Sequence, residues 1–247
     1  MIVIAGASHD DTLYFQNVLS SKKEEMIFDK YPVFRGTIFN QEVLVVGDCY
    51  SSVLSSAIIT HVIDNNYVDL IICVGKCISV SKYIKSGDIV ISRQIIDANV
   101  DLSLFSDVVT GQIPSFGREY PVQKDIIEYM IKGMSRRSFV TLHLVSMLTS
   151  DNLSYEMIDF LKQHHHILGI QEGLVALDHN SSGIALAATL RKIPFITIKV
   201  AEVKIDQKDN LDTYLNVLER YIDLGKAVVS TINDIGRNDI LEARKND

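Results

Sequence analysis

The sequence predicts an α/β fold, a single domain of three layers (α/β/α) around a mixed central sheet. The apolar run from Val68 to Val74 is too continuous for a strand with one wet face and fits a strand covered on both faces. The segment from Pro194 to Ala201 is a second continuous apolar run of the same kind. Helical patterns and a hairpin lie between such strands, which favours a mixed sheet with helical crossovers.

Length and composition limit what this fold can be. The chain has 247 residues and no linker rich in proline, glycine or serine, so we predict one domain over 1–247. A net charge of −7 without a basic stripe excludes nucleic acid as an expected partner. No run approaches the ~20 apolar residues that span a membrane. The opening MIVIAGA has neither a basic region nor a cleavage site, so we expect a cytoplasmic protein.

The first quarter of the chain predicts a strand, a helix, a hairpin and a second helix. Met1–Gly6 is the strand, and the helix after it begins at Ser8, whose spacing to Asp11 is typical of a capping box. Asp11 has two interpretations: it stabilises the helix start, or its carboxylate faces a ligand at the mouth of the first strand. The elements that follow are predicted at Tyr31–Phe39, Glu42–Gly47 and Val53–Asp64.

The central strand positions the expected site. It begins at Val68 and is predicted to end at Gly75, after which the turn Ser86-Gly87-Asp88 leads into a strand at Ile89–Ile91. Open α/β sheets bind their ligands beyond the carboxyl ends of their strands. We therefore expect the active-site crevice beside Gly75.

The second half of the chain alternates helices and strands after one irregular segment. Asp97–Tyr120 has little regular pattern, and a loop of this length is usually functional or an interface. Ile167–Leu177 is ambiguous, with a possible strand, and Glu202–Asn210 reads as a charged loop. The other predicted elements are helices at Val122–Met134, Ser154–Gln163, Gly183–Leu190 and Leu211–Ile232, and a strand at Phe139–Met147.

Cysteine and histidine patterns predict no metal and no other cofactor. The three cysteines, Cys49, Cys73 and Cys77, are an odd number without a CxxC pair, which favours buried, reduced thiols. Three consecutive histidines stand at 164–166, but consecutive side chains diverge in a helix and alternate in a strand. They do not converge easily on one ion.

Four landmarks in one order resemble the purine nucleoside phosphorylase superfamily, and within it the 5′-methylthioadenosine/S-adenosylhomocysteine nucleosidases. They are IAGA before an acidic helix start, VDLIICVG followed by KSGDIVIS, GQIP at Gly111–Pro114, and the Pro194 strand after a small-residue helix. The resemblance covers nearly the whole chain. It implies a nucleoside phosphorylase-like fold, a nucleoside or related small molecule as ligand, and cleavage of an N-glycosidic bond.

The resemblance also implies which residues would carry the reaction. The water-handling glutamate of the nucleosidases falls on Asp11, and the ribose-binding glutamate falls on Asn180. The aspartate that protonates the purine falls on Val203, which cannot transfer a proton. Glu202 and Asp206 are the candidates to supply that acid from the same loop.

The substrate-binding positions show further departures. Small residues that face the base are replaced by Lys76, Cys77 and Ile78, which would fill part of a purine pocket, and a glycine-rich turn is replaced by Asp48–Ser52. The residues expected to bind substrate are Ser8, Lys76, Cys77, Ile78, Leu153, Ser154, Asp178, His179 and Asn180.

Three functions stay open on these residues. The first is an N-ribosyl hydrolase with impaired activity or an altered substrate, and the second is a catalytically inactive relative that binds a small ligand or a partner. The third, a phosphorylase, lacks a recognisable phosphate motif among its arginines. The resemblance further implies a homodimer, to which Phe105, Ile113 and Phe116 of the irregular segment would contribute apolar contacts.

Overall fold

A computed structural model describes residues 1–105, 107–114, 116–135, 141–164, 174–202 and 211–235. The strands are β1 (Ile2–Gly6), β2 (Ser20–Ile27), β3 (Tyr31–Ile38), β4 (Gln41–Val46), β5 (Leu70–Ser79), β6 (Ile89–Asp97), β7 (Glu119–Pro121), β8 (Leu142–Thr149), β9 (Leu174–Asp178) and β10 (Phe195–Glu202). The helices are α1 (His9–Val18), α2 (Ser52–Asn65), α3 (Lys124–Ser135), α4 (Tyr155–His164), α5 (Ser181–Leu190) and α6 (Leu211–Ile235).

The described strands form one mixed sheet in the order β10-β6-β8-β9-β5-β1-β4-β3-β2, with β7 paired to β6. Strand β10 also pairs with β5, so that β5, β10, β6, β8 and β9 close into a ring. The pairs β1–β5 and β5–β10 are parallel, whereas β10–β6 and β5–β9 are antiparallel. The predicted α/β fold with a mixed sheet is therefore confirmed.

Two groups of helices flank this sheet. Helices α1 and α3 both pack on α6, and α2 packs on α5. Glycines make two of these contacts close, since a Cβ on Gly133 would collide with Thr231 and one on Gly225 with Tyr14. The predicted small-residue helix is α5, and its Gly183 packs against α2, where a Cβ would collide with Ser52 and Ser55. Within the described residues, no helix is both long enough and apolar enough to cross a membrane.

Several local predictions are confirmed. Helix α1 begins at a complete capping box, in which Asp11 N donates to Ser8 Oγ at 3.3 Å and Ser8 N donates to Asp11 Oδ2 at 3.0 Å. Strands β3 and β4 form the expected antiparallel hairpin, with Ile38 opposite Gln41. Phe39 and Asn40 form its turn with positive φ angles of 49° and 65°.

The predicted end of the central strand is wrong. Strand β5 continues past Gly75 to Ser79, and Gly75 itself pairs with Lys199 of β10. Gly75 has a φ of 136°, which marks a close approach of another group to the backbone and not a turn. Strand β6 likewise runs on to Asp97 instead of ending at Ile91, because β8 pairs along its whole length.

The sequence patterns missed two other strands. Strand β2 carries the charged stretch SSKKEEMI and is exposed over all but its last residue, so no hydrophobic alternation indicates it. Strand β7 at Glu119–Pro121 closes the irregular segment, so that helix α3 begins at Lys124 and not at Val122.

Some predictions fall partly outside the described residues. Strand β8 is seen from Leu142, whereas Phe139, with which the predicted strand begins, lies outside. The end of the ambiguous segment is strand β9, while its residues 167–173 are outside the described part. Val203 and Asp206 belong to 203–210, which the structure does not describe.

Replacing Gly183 with alanine should destabilise the protein by about 2 kcal/mol or more, since the new Cβ would overlap the Ser52 carbonyl oxygen and the Ser55 hydroxyl. Chemical denaturation measures the free energy of unfolding. The control is Thr189→Ala, an exposed change on the same helix, which should stay within about 0.5 kcal/mol of the parent. Equal effects of the two variants would mean that α5 does not pack closely on α2.

Candidate active site

A cavity of about 240 Å³ lies where β1, β9 and β10 end and β5 passes beneath them. Its position matches the crevice expected beside Gly75. The residues that line it are Ala7, Ser8, Asp11, Tyr50, Lys76, Cys77, Ile78, Leu153, Leu177, Asp178, His179 and Glu202.

Asp11 places a carboxylate in the cavity wall although its side chain is almost entirely buried. The Ser8 N–H donates to Oδ2 through the capping box, and the Tyr221 hydroxyl of α6 donates to Oδ1 at 3.0 Å. Burial, and then the Asp11 charge, raise the pKa of Tyr221 well above its ordinary value, so its hydroxyl keeps its proton. The carboxylate is thus fixed by one donor on each oxygen.

Gly75 of β5 makes room for that carboxylate. A Cβ at this position would lie 3.1 Å from Asp11 Cγ and 3.2 Å from Oδ2, closer than most side chains tolerate. The φ of 136° is in the region that favours glycine. Glycine at this position therefore lets the Asp11 carboxylate pack directly against the backbone of β5.

A buried ion pair joins Asp178 of the cavity wall to Lys199 behind it. Lys199 Nζ is 2.6 Å from Asp178 Oδ2, and both side chains are fully buried. Thr149 Oγ1 donates to Asp178 Oδ1 at 2.8 Å, and both the N–H and the hydroxyl of Ser181 donate to the same carboxylate. A carboxylate has about four acceptor sites. Asp178 is therefore fully occupied by neighbouring side chains and backbone.

The pair remains charged because each partner compensates for the burial of the other. Burial alone raises the pKa of Asp178 and lowers that of Lys199. Burial is the largest single effect on each group, but the opposite charge and the hydrogen bonds together outweigh it, so the pKa of Asp178 falls below its ordinary value and that of Lys199 rises above its own.

Asn180 lies deeper than predicted. Its Oδ1 accepts a hydrogen bond from Lys199 Nζ at 2.6 Å, and its side chain is completely buried. Its Nδ2 has no hydrogen-bond partner among the described residues. A buried donor without a partner is costly, so this amide is an unsatisfied group close behind the cavity wall.

The remaining wall combines a neutral histidine, a thiol and an ion pair. Burial, and then the nearby Lys199 charge, lower the pKa of His179 below its ordinary value. Burial raises the pKa of Cys77, so its thiol is an inert wall group. At the mouth, Lys76 Nζ lies 3.4 Å from Glu202 Oε1, with both side chains about two-fifths exposed.

The family model of the phosphorylase superfamily matches residues 2–232. The chain belongs to this superfamily. Its relatives include a 5′-methylthioadenosine/S-adenosylhomocysteine nucleosidase of Exiguobacterium sp., 23% identical over 208 residues that cover 84% of this chain and 87% of that protein. The nucleosidase of the same name from Buchnera aphidicola is 24% identical over 230 residues, covering 90% and 95% of the two chains.

A solved structure extends the likeness to the fold. The putative 5′-methylthioadenosine/S-adenosylhomocysteine nucleosidase of Borrelia burgdorferi, bound to adenine, superposes with a TM-score of 0.83 at 21% identity. The superposition covers 95% of the present chain and all of the Borrelia chain. The resemblance noted in the sequence is thereby confirmed for family and fold.

The structure brings most of the predicted site residues together. Those that line the cavity are Ser8, Asp11, Lys76, Cys77, Ile78, Leu153, Asp178, His179 and Glu202. Ser154 does not line it, because its hydroxyl accepts the Met157 N–H and so caps α4. Asn180 lies behind the wall. Asp206 is outside the described residues.

Three residues of the candidate site were not predicted from the sequence. Tyr50 lines the cavity, Tyr221 orients Asp11, and Lys199 neutralises Asp178. A signal for Lys199 was present, since a lysine within a continuous buried strand implies a buried partner. Tyr221 and Asp11 are 210 positions apart, and no local pattern connects them.

Replacing Lys199 with methionine should cost about 3–5 kcal/mol of folding free energy, because the buried Asp178 charge would lose its partner. The double variant Asp178→Asn/Lys199→Met should regain part of that loss. Urea denaturation at neutral pH tests both. The control is Arg191→Met in the exposed pair with Asp64, for which a loss of at most about 1 kcal/mol is expected.

The loss in Lys199→Met should also depend on pH. In the parent, Asp178 has a lowered pKa and stabilises the fold above its unfolded pKa. Without Lys199, burial leaves that pKa raised, and the variant loses stability as the pH rises through it. The difference between parent and variant should therefore be smaller at about pH 4 than at about pH 7. A constant difference would contradict the charged pair.

Proposed function

We propose that the chain is an N-ribosyl hydrolase that releases the purine from a small adenosine-type nucleoside, such as 5′-methylthioadenosine or S-adenosylhomocysteine. Asp11 carries the proposal, because its carboxylate stands in a cavity wall with each oxygen held by one donor. Such a group can position an attacking water and accept its proton. The names of the relatives, and the adenine in the Borrelia structure, support a purine nucleoside as substrate.

The other roles follow from the cavity wall. His179 offers a neutral imidazole to a ribose hydroxyl, and the unpartnered Nδ2 of Asn180 lies behind the wall, where it would reach a hydroxyl only if the wall moved. Asp178 acts indirectly, since Lys199 joins it to Asn180 and fixes the amide. Glu202 stands at the mouth, where an acid for the departing base is needed, and Asp206 is the other candidate for that role.

The purine would lie against β5 and the start of α4. Cys77 and Ile78 present an uncharged wall on β5, and Leu153 faces the cavity as well. The bulk of these residues, with Lys76, agrees with a cavity of about 240 Å³, small beside the ~300–1,000 Å³ of ordinary ligand pockets. The smaller nucleoside, 5′-methylthioadenosine, is therefore the better first probe.

Water is a better nucleophile for this cavity than phosphate. The described residues that line it include no arginine, and Lys76 already pairs with Glu202. Phosphorolysis needs groups that hold an anion, such as exposed backbone amides or arginine side chains. Hydrolysis needs a held water, a base for its proton and an acid for the departing base, but no site for an anion.

We infer reduced turnover from the sequence at the acid position, where Val203 stands. Loss of a general acid costs about 10²–10⁴-fold in rate, which leaves a slow enzyme. A catalytically inactive protein that binds a nucleoside is the alternative. A thermal shift with adenine but no adenine release would favour it, and neither signal would mean that the purine site is closed.

We also place the reaction in the cytoplasm. The described cysteines Cys49, Cys73 and Cys77 are free and buried, and burial raises the pKa of each thiol. Free thiols are typical of a reducing compartment.

Asp11→Asn should lower the release of adenine from 5′-methylthioadenosine by about a hundredfold or more, because an amide cannot accept the proton of water. The asparagine oxygen can still accept the Ser8 N–H, so the fold should survive. Chromatographic detection of adenine at high enzyme concentration measures the rate. Asp10→Asn is the control, an exposed carboxylate in the same turn, and should keep full activity. Equal rates in both variants would exclude Asp11 as the base.

We further propose that the protein is a homodimer joined through the segment between β6 and β7. This segment exposes Leu104 and Phe105 by 92% and 86%, and Val109 and Phe116 are also exposed. Ile113, the third residue predicted for this interface, is partly buried. Asn99, at the start of the segment, accepts hydrogen bonds from Ser150 and Asp151, which brings it close to Leu153 of the cavity. A second copy of the chain would cover these apolar side chains.

Sedimentation velocity tests the dimer. Leu104→Asp/Phe105→Asp should convert a dimer into a monomer, because it places two charges in an apolar interface. The control is Tyr67→Asp, at an aromatic side chain that is 72% exposed elsewhere on the surface, and it should leave the dimer intact. A monomeric parent protein would refute the proposal.

A further inference from the structure

One cation stands in the wall of the cavity. Lys76 follows Gly75 on β5, and its Nζ lies 3.4 Å from Glu202 Oε1 and 5.7 Å from the centre of the Tyr221 ring. The only other basic side chain among the described lining residues is His179. Burial and the Lys199 charge lower the pKa of His179, so Lys76 supplies the positive charge at neutral pH.

The register of the sheet puts Lys76 and Glu202 on one face. Strands β5 and β10 are parallel, with Lys76 opposite Val200 and Ile78 opposite Glu202. Side chains two positions apart on a strand share a face, so Lys76 and Glu202 belong to the same wall. Glu202 thereby balances the ammonium and holds it beside the cavity, instead of acting alone.

Tyr221 separates this cation from the carboxylate of Asp11. Its hydroxyl donates to Asp11, and its ring lies under the Lys76 ammonium, a favourable place for a cation. Hydrolysis of a glycosidic bond needs one group that takes a proton from water and another that gives a proton to the leaving group. These two groups act from different sides of the sugar carbon, so they must stand apart.

We propose that Lys76 is the proton donor to the departing purine, an inference that rests on the proposed nucleosidase function. The C1′–N9 bond breaks and its electron pair passes to the purine, while the Lys76 ammonium gives one proton to a purine nitrogen and becomes an amine. The oxygen of water forms the new bond to C1′ and gives one proton to Asp11. That proton returns through solvent from Asp11 to Lys76, which restores both groups.

This role supplies the proton that Val203, at the acid position of the sequence, cannot give. An ammonium is a stronger acid than water, so it protonates a departing base more readily than solvent does. Its positive charge also attracts the negative charge that develops on the purine. Glu202 can then be the partner that keeps Lys76 in place, and no second carboxylic acid is required.

The experiment compares two leaving groups on the same sugar. Lys76→Met and the parent are assayed with 5′-methylthioadenosine and with the 4-nitrophenyl glycoside of 5-methylthioribose, whose nitrophenolate departs without a proton. Lys76→Met should lose about 10²–10⁴-fold on the adenine substrate and keep its rate on the nitrophenyl substrate within about threefold. Lys76→Arg should behave in the same way, because arginine keeps the charge but does not give up its proton.

Lys82→Met is the matched control, since Lys82 also stands over a tyrosine ring, at 5.1 Å from Tyr83, but outside the cavity. It should change neither rate. An equal fall on both substrates in Lys76→Met would mean that Lys76 only shapes the site. Full adenine release by Lys76→Arg would mean that its charge suffices, and either result overturns the inference while the nucleosidase function stands. A parent protein that cleaves neither substrate removes the proposed function itself, and this inference with it.

Discussion

The buried contact between Lys199 and Asp178 is the constraint on which the centre of the molecule depends. Burying two charges is expensive unless they are paired and their remaining hydrogen-bonding positions are filled. Here the ends of β8 and β9, the start of α5 and the middle of β10 supply those groups, through Thr149, Asp178, Ser181 and Lys199. The four elements must therefore meet in one arrangement, and the closed ring of strands brings them together. The same lysine fixes the amide of Asn180.

A second constraint connects the first helix to the central strand. The capping box and the candidate catalytic carboxylate are not alternative interpretations of Asp11, because one oxygen serves the Ser8 backbone and the other meets Tyr221. Gly75 makes room for the side chain, because a Cβ there would lie 3.1 Å from Asp11 Cγ. Local helix chemistry thus orients the carboxylate, and the sheet supplies the space. A residue that stabilises a helix start is in this way also pre-organised for catalysis.

The parts predicted from the sequence are those with a local cause. The hairpin β3–β4 and the capping box at Ser8 follow from periodicity and spacing. The cavity lies close to the expected place, although β5 does not end at Gly75. Strand β2 could not be predicted in this way, since its charged residues face solvent and only pairing with β3 makes it a strand. The role of Tyr221 depends on a contact between the two ends of the chain. Lys199 lies within an apolar run, and its burial there is explained by the ion pair with Asp178, which is distant in sequence.

The turn from Asp48 to Ser52 affects whether phosphate or water can be the nucleophile in the cavity. Asp48 and Ser51 have φ angles of 58° and 60°, so the backbone keeps conformations that favour glycine although side chains now occupy the turn. Tyr50 faces the cavity from the same turn. Side chains here restrict the access of a bulky anion to backbone amides, whereas a water held by Asp11 needs no such access. The side chains of this turn therefore disfavour a phosphate site, whereas Asp11 remains in the cavity wall to hold a water.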